Sequence, residues 1–181
     1  DRDLVDRLRA GSEDAYRELV DTYSDRILTV VGRIGGRTAD AEDIAQETFL
    51  KAFGAIGRFA GNSALYTWLY RIAVNTARDW VASRRRRPAV SLESLPPGSV
   101  DPPSLEDGPL AALDRSELRA RVRDAMERLP EPFRTTLLLR EMEGHTYEEV
   151  AAIMEVSIGT VESRLFRART KLRALLLGEG S

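Results

Sequence analysis

The stretch over residues 89–109 reads Ala-Val-Ser-Leu-Glu-Ser-Leu-Pro-Pro-Gly-Ser-Val-Asp-Pro-Pro-Ser-Leu-Glu-Asp-Gly-Pro, and it limits the fold more tightly than any other feature of the chain. Its five prolines and two glycines exclude a helix or a central strand, because proline lacks the backbone donor and clashes with the preceding turn, while glycine loses the most backbone entropy on ordering. The chain is thereby split into two separate folding units with a linker between them. From Pro88 to Asp114 there is no Lys or Arg, whereas Glu93, Asp101, Glu106, Asp107 and Asp114 are present. Proline stiffness and carboxylate repulsion predict an extended acidic strap that can reach across another protein's surface.

Both flanks read as helical, with no alternating strand pattern. On the N-terminal side, Ser12 can cap a helix whose Tyr16, Leu19, Val20, Tyr23, Ile27, Val30, Val31 and Ile34 recur at three-four spacing, with Gly35 and Gly36 as its stop. Asp40 can cap a second helix, with Ile44, Ala45, Phe49, Ala52, Phe53 and Ile56 on one face, Asp43, Gln46, Glu47 and Lys51 on the other, and Gly57 closing it. After a loop over 58–63, Ser63 can cap a long helix from Ala64 to about Arg86. On the C-terminal side, a helix over 110–128 carries Leu113, Leu118, Val122 and Ala125, with Leu129 just beyond it. Pro132 suits the first turn of a helix through Leu137, Leu138 and Leu139, and Gly144 breaks the chain. Thr146 and Glu149 form a capping box for a short helix to Met154, and Ser157 caps a last helix ending near Leu177. The expected fold is all-α. Two small helical domains, a bundle over 1–88 and a helix-turn-helix domain over 110–181, flank the linker at 89–109.

Composition excludes several functions. Apolar residues at 43% and charged residues at 31% are enough for packed cores and argue against wholesale disorder. Without cysteine there are no disulfides or thiolate metal sites, and with one histidine a zinc or iron centre would rest on carboxylates alone, so neither metal nor cofactor is expected. No apolar run approaches the roughly 20 residues that span a bilayer, and no signal segment opens the sequence. A cytoplasmic protein without membrane insertion is expected, with Asp1 in place of a methionine suggesting a trimmed or processed start. An enzymatic reading would pair Asp40, Asp43 or Glu47 with His145 as acid and base. No Gly-rich phosphate loop or nucleophile motif supports it, and His145, in a polar turn after Gly144, reads as a solvated loop histidine. The chain is not expected to be an enzyme.

The net charge of −2 is low for a nucleic-acid binder, but its distribution is not. Arg71, Arg78 and the arginines at 84, 85, 86 and 87 face a single acid, Asp79. Between Ser157 and Leu177, five bases at 164, 167, 169, 171 and 173 accompany only Glu162. Only two of the 27 basic residues are lysines, at 51 and 171, as expected of a GC-rich genome. The segment from Tyr147 to Phe166 fits a helix-turn-helix: Val150 and Met154 bury the first helix, Ala151 permits close approach, Val156 fills the turn, and Val161 with Leu165 anchor the second helix. The outward Thr160, Ser163, Arg164, Arg167, Arg169 and Lys171 suit base edges and phosphates in a major groove. On the long N-terminal helix, Tyr66, Trp68, Tyr70 and Trp80, with Phe59 before it, can stack on unpaired bases while the arginines neutralise phosphate. A core position is the ordinary reading of any single one of these aromatics. Asn75 in mid-helix is a poor helix former that can bond a base edge or a neighbouring loop. A free-standing DNA-binding regulator, with the N-terminal unit as sensor or dimerisation domain, would use the helix-turn-helix but leave the aromatic helix unexplained.

Four ordered segments resemble the extracytoplasmic function (ECF) sigma factors of the sigma-70 family, closest to the sigma-E-like type. They are Asp40-Ala-Glu-Asp-Ile-Ala-Gln-Glu-Thr-Phe-Leu-Lys-Ala-Phe53, Phe59-Ala-Gly-Asn-Ser63, Thr67-Trp-Leu-Tyr-Arg-Ile-Ala-Val-Asn75 and Gly159-Thr-Val-Glu-Ser-Arg-Leu-Phe-Arg-Ala-Arg169. The resemblance implies binding to core RNA polymerase through Asp43, Gln46 and Glu47 beside Phe49. It implies capture of a flipped −10 base at Phe59, Gly61, Asn62 and Ser63, with Trp68, Arg71 and Asn75 on the adjoining helix. It also implies reading of the −35 duplex by Arg140, Thr160, Ser163, Arg164, Phe166 and Arg167. The linker would run through polymerase channels built for nucleic acid, an anti-sigma factor would hold the protein inactive, and the genes served would belong to a stress response. Glu162 departs from the Lys or Arg that many relatives carry there. An acid at that position repels phosphate or accepts from a cytosine amine, which alters the −35 preference.

Overall fold

The computed structural model describes residues 2–35, 38–86 and 109–178. Among them are eight α-helices and no strand: α1 (Arg2–Arg9), α2 (Glu13–Gly35), α3 (Thr38–Ala55), α4 (Leu65–Arg86), α5 (Pro109–Glu127), α6 (Glu131–Leu137), α7 (Tyr147–Met154) and α8 (Ile158–Leu177). The linker reading over 89–108, Gly36 as a helix stop and the Leu113 side chain lie outside the described residues.

Helices α2, α3 and α4 pack against one another in pairs. Their apolar stripes supply the interior: Leu19, Ile27, Val30, Val31 and Ile34 from α2, Ile44, Ala45, Phe49 and Ala52 from α3, and Leu65, Leu69, Ala73, Val74 and Ala77 from α4. Full burial of each leucine or isoleucine contributes about 1.5–3 kcal/mol, more than helix propensity supplies to any of these segments. Gly32 lets α2 and α3 approach closely, since a Cβ there would lie 3.3 Å from that of Ala41. Ser12 caps α2 as its sequence predicts, with Oγ accepting from the Ala15 amide at 3.4 Å. Ahead of it, α1 docks Val5 and Leu8 on the bundle.

In the second unit, α6 and α7 both pack on α8, burying Leu137, Val150, Ile153, Met154, Val161, Leu165 and Ala168. Helix α6 runs on into a π-helical turn, Leu138–Met142, which Gly144 ends at φ +75°. The two units are not apart. Helix α4 packs on α7 and α2 on α6, so that one buried apolar cluster includes residues from both sides of the linker.

Several boundaries differ from the sequence reading. Helix α3 begins at Thr38, so Asp40 is in its first turn rather than at its cap, where its carboxylate favours the positive helix end and pairs with Arg84. Gly57 does not stop that helix; α3 ends at Ala55 and Gly57 is inside a 3-10 turn, Ile56–Arg58. Helix α4 starts at Leu65, one residue later than expected, with the Ala64 carbonyl accepting from the Trp68 amide. Pro109, assigned to the linker, opens α5, because the first helical position needs no amide donor. Leu118 is 55% exposed and does not belong to the α5 stripe, which buries Ala125.

Candidate nucleic-acid interface

The helix-turn-helix is built as its local chemistry dictates. Thr146 Oγ1 accepts from the Glu149 amide at 3.2 Å, and Glu149 Oε2 accepts from the Thr146 amide at 2.9 Å, satisfying two orphan donors of α7. The helix ends at Glu155, which takes the left-handed conformation at φ 55° although it is not a glycine. Ser157 Oγ then accepts from the Thr160 amide at 3.1 Å and starts α8. Val161, Leu165 and Ala168 face inward and are fully buried, which turns Glu162, Ser163, Phe166 and Arg167 outward and leaves Arg164 half-buried. Phe166 is 72% exposed, a position suited to apolar contact with a thymine methyl. Thr160 is tied to the cap, its hydroxyl 2.9 Å from Ser157 Oγ. Arg140 braces the turn: Nη1 donates to the His145 carbonyl at 2.8 Å, and the guanidinium lies 5.0 Å over the Tyr147 ring.

The aromatic helix is corrected by the structure. Phe59, Trp68 and Tyr70 are core residues, exposed by 7%, 7% and 2%, and Tyr66 and Trp80 are half-buried, so these five aromatics form no open stacking platform in this conformation. Helical periodicity places Leu65, Trp68, Leu69 and Ala73 on one inward face, where a large ring gains more from burial than from solvent. Phe59 and Trp68 meet at 5.2 Å, and Arg9 Nη2 donates to the Phe59 carbonyl at 2.5 Å. This buried pair supports a loop whose Gly61, Asn62 and Ser63 are exposed, with Gly61 at φ +73°. On the same helix, Arg71 and Asn75 both address Glu155, at 3.9 Å and 3.4 Å, and Arg78 Nε donates to Glu131 at 2.7 Å.

On α3, Asp43 and Gln46 are exposed, and Glu47 pairs with Lys51 at 2.8 Å. Phe49 is buried, 6.3 Å from Phe53. Leu50, which the sequence reading passed over, is 63% exposed three residues after Glu47 and four after Gln46. Its position outside the apolar stripe was the available signal.

His145 is the other correction. It is not a solvated loop residue but is only 6% exposed, stacked on Tyr66 at 5.9 Å and edge-on to Tyr70 at 4.6 Å. The sequence shows the polar turn around it but not the two rings of α4 that cover it. Nδ1 is 3.5 Å from Glu149, and Nε2 is buried with no hydrogen-bond partner among the described residues. Burial first, and then the Arg26 charge, push its pKa below the usual imidazole value. Beside it Tyr70 donates to Glu143 at 3.1 Å, and burial raises the phenol's pKa. Of the carboxylates proposed as its acid–base partners, Asp40 is bound to Arg84 and Glu47 to Lys51. Among the described residues no group of three or more His, Asp or Glu suits a metal ion, and no helix is long and apolar enough to cross a membrane.

Residues 19–87 match the family profile of Sigma-70 region 2, and residues 119–172 match that of Sigma-70, region 4. The chain is 44% identical over 174 residues to the RNA polymerase sigma-H factor of Pseudomonas aeruginosa, spanning 93% of this chain and 90% of that one. It is 41% identical over 177 residues to the ECF RNA polymerase sigma-E factor of Escherichia coli K12, with the same 93% and 90% spanned. Among solved structures, CnrH in complex with the cytosolic domain of CnrY matches with a TM-score of 0.72 and 29% identity, over 100% of this chain and 99% of that one. The sigma factor RpoE in complex with the anti-sigma factor NepR from Bartonella quintana matches with a TM-score of 0.65 and 25% identity, over 89% and 96%.

Proposed function

The chain belongs to the sigma-70 family, as an ECF sigma factor that directs RNA polymerase to promoters and initiates transcription, and on that premise we propose how its residues divide the work. Residues 1–88 form the domain that binds core polymerase and reads the −10 element, 110–181 form the domain that reads the −35 element, and 89–109 are the acidic linker threaded between them. Asp43, Gln46 and Glu47 make the polar contacts to polymerase, Leu50 adds an apolar anchor, and Phe49 holds the helix face from beneath.

The −10 site is the loop of Gly61, Asn62 and Ser63, with Arg71 and Asn75 on α4 beside it. Phe59 and Trp68 act from below by fixing the shape of that loop. Capture of unstacked bases there offsets the few kcal/mol that each flipped base costs, and no covalent bond changes. The −35 site is the outward face of α8, where Ser163, Arg164, Phe166 and Arg167 meet the major groove, while Arg140 and Thr160 hold the recognition helix in place. The protein works in the cytoplasm, serves a stress-response regulon and is not an enzyme. An anti-sigma factor is its regulator, a reading supported by the two structural relatives, whose structures are complexes with CnrY and NepR.

The observation that carries the reading is an exposed loop leading into the helix that bears Arg71 and Asn75, in the same chain as a capped helix-turn-helix with Ser163, Phe166 and Arg167 turned outward. Run-off transcription with core polymerase tests it. Arg71→Ala with Asn75→Ala is expected to abolish open-complex formation while leaving holoenzyme assembly intact. Arg164→Ala with Arg167→Ala is expected to weaken closed-complex binding. If both double variants transcribe as wild type does, the division of labour is wrong.

A further inference from the structure

The seam where α4 meets α7 and α2 meets α6 leaves the loop over 60–63 open, with Gly61, Asn62 and Ser63 exposed. None of these three makes a hydrogen bond among the described residues, so the loop takes its shape from the way its two ends are held. At the downstream end the Ala64 carbonyl accepts from the Trp68 amide and α4 begins. At the upstream end the Phe59 amide donates to the Ile56 carbonyl at 3.1 Å, closing the 3-10 turn, and the Phe59 ring packs on Trp68. The Phe59 carbonyl, one peptide before the loop, accepts from Arg9 Nη2 at 2.5 Å across a sequence separation of 50 residues.

Arg9 comes from α1, whose eight residues are too few to hold a helix alone, so its order comes from docking. Val5 and Leu8 are buried, Arg7 pairs with Glu18 of α2 at 2.6 Å, and the Tyr16 hydroxyl donates to the Leu8 carbonyl at 3.2 Å. The helix end is closed by Gly11, left-handed at φ +75°, whose amide donates to the Leu8 carbonyl at 3.0 Å while the Ser12 amide donates to the Arg7 carbonyl at 3.1 Å. This turn satisfies the last carbonyls of α1 and fixes the backbone from which Arg9 reaches. The other partner of Arg9 is weak: Asp6 stands 3.5 Å away and is 66% exposed. The strong bond of this guanidinium is therefore the one to the Phe59 carbonyl, where a charged, planar donor gives up little freedom for the contact it makes.

We propose that Arg9 is a positioning residue for base capture, holding the peptide between Phe59 and Ala60 and through it the curve of the loop over 60–63. Helix α1, which lies ahead of the residues matched by the region 2 profile, then takes part in −10 recognition. The proposal rests on the reading of that loop as the base site. A loop chooses among bases only when its donors and acceptors are in place before the base arrives, because ordering them on binding consumes the affinity they supply. Without Arg9 the peptide is free to turn, and Gly61 two residues on offers little resistance. The loss falls on the choice of base, whereas attraction of phosphate, a matter of charge, is left to other arginines.

The test uses holoenzyme reconstituted from core polymerase and the full chain, with a pool of short single-stranded deoxyoligonucleotides of random sequence as probe. The bound fraction is sequenced, and total binding is followed against salt. Wild type is expected to enrich one base at one position of a bound motif. Arg9→Ala is expected to lower that enrichment about tenfold, with total binding and its salt slope as in wild type. Arg9→Lys, whose amine still donates to a carbonyl, is expected to recover most of the selectivity, which a general loosening of the fold would not allow. Arg7→Ala, which removes the tie to Glu18 but leaves the bond to Phe59, is expected to select as wild type does. If Arg9→Ala keeps its enrichment, the proposal is refuted. If it keeps its enrichment but binds the pool less tightly, with a log–log salt slope lower by about one unit, Arg9 is a phosphate contact instead. Equal loss in Arg7→Ala and Arg9→Ala would assign the effect to the docking of α1 as a whole and refute a particular role for Arg9. A wild type that enriches no base overturns the reading of the loop itself, and the role of Arg9 with it.

Discussion

Leu50 is largely exposed among the described residues, next to the three polar residues assigned to the polymerase. An isolated exposed leucine is ordinary, but one centred on a polar contact face is the residue type that anchors an interface. Leu50→Glu is therefore expected to leave folding stability within about 0.5 kcal/mol of wild type. It is expected to weaken competition for core polymerase about tenfold. Equal loss in stability and in binding, measured by urea denaturation and by competition, would assign Leu50 to the fold instead. His145 is the opposite case, a titratable group taken out of water. Around it stand Tyr23 and Arg26 of α2, Tyr66 and Tyr70 of α4, Glu143 of the turn and Glu149 of α7. Glu149 favours the charged imidazole, yet burial, with Arg26, holds the pKa below the unfolded value of about 6.5. The sign follows: the neutral form fits the folded chain, so the stability it supplies is full above about pH 6.5 and is lost as pH falls below it. Between pH 7.5 and 5.5 the melting temperature of wild type is expected to fall more steeply than that of His145→Gln; parallel curves would exclude His145 as the cause.

At the scale of single helices, α7 and α8 owe their start points to one side chain each. Thr146→Ala removes half of a reciprocal cap and is expected to cost about 1 kcal/mol in urea denaturation. No loss would mean that tertiary packing alone fixes the start of α7. On α8, Glu162 is exposed on the outward side beside Ser163. Replacing it by arginine adds a cation next to phosphate, so holoenzyme binding to −35 duplex is expected to steepen its salt dependence by about one unit of log–log slope. An unchanged slope would place residue 162 away from the DNA backbone. The caps of α2, α7 and α8, the stripe of α2 and the Pro132 start of α6 were legible beforehand because each is a local rule, satisfied within one helical turn. Glu155 was not: a left-handed glutamate has no sequence signature comparable with glycine's, and its conformation is set by the fixed geometry between α7 and α8.

For the whole molecule, the shared apolar cluster predicts cooperative unfolding across the linker. Both tryptophans, Trp68 and Trp80, are on α4, so their fluorescence reports the first unit, whereas far-ultraviolet circular dichroism reports all eight helices. The two urea transitions of wild type are expected to coincide. A fluorescence transition displaced from the dichroism transition would mean that the units unfold independently and that the seam contributes little.

The amino-acid sequence by itself determined the helices, because periodicity, caps and proline act over a few residues, and its motifs carried the order of region 2 before region 4. Which aromatic rings face inward was decided by the tertiary structure: Trp68 and Tyr70 carry the same composition signal whether they stack on a base or fill a core, and their neighbours settle it, Phe59 for Trp68 and His145 with Glu143 for Tyr70. The same holds for His145, polar in its turn and buried beneath Tyr66. Above all, the pairing of Glu131 with Arg78 and of Glu155 with Arg71 and Asn75 joins residues more than 50 positions apart. Such pairs arise from the packing of whole helices, and no spacing along the chain encodes them.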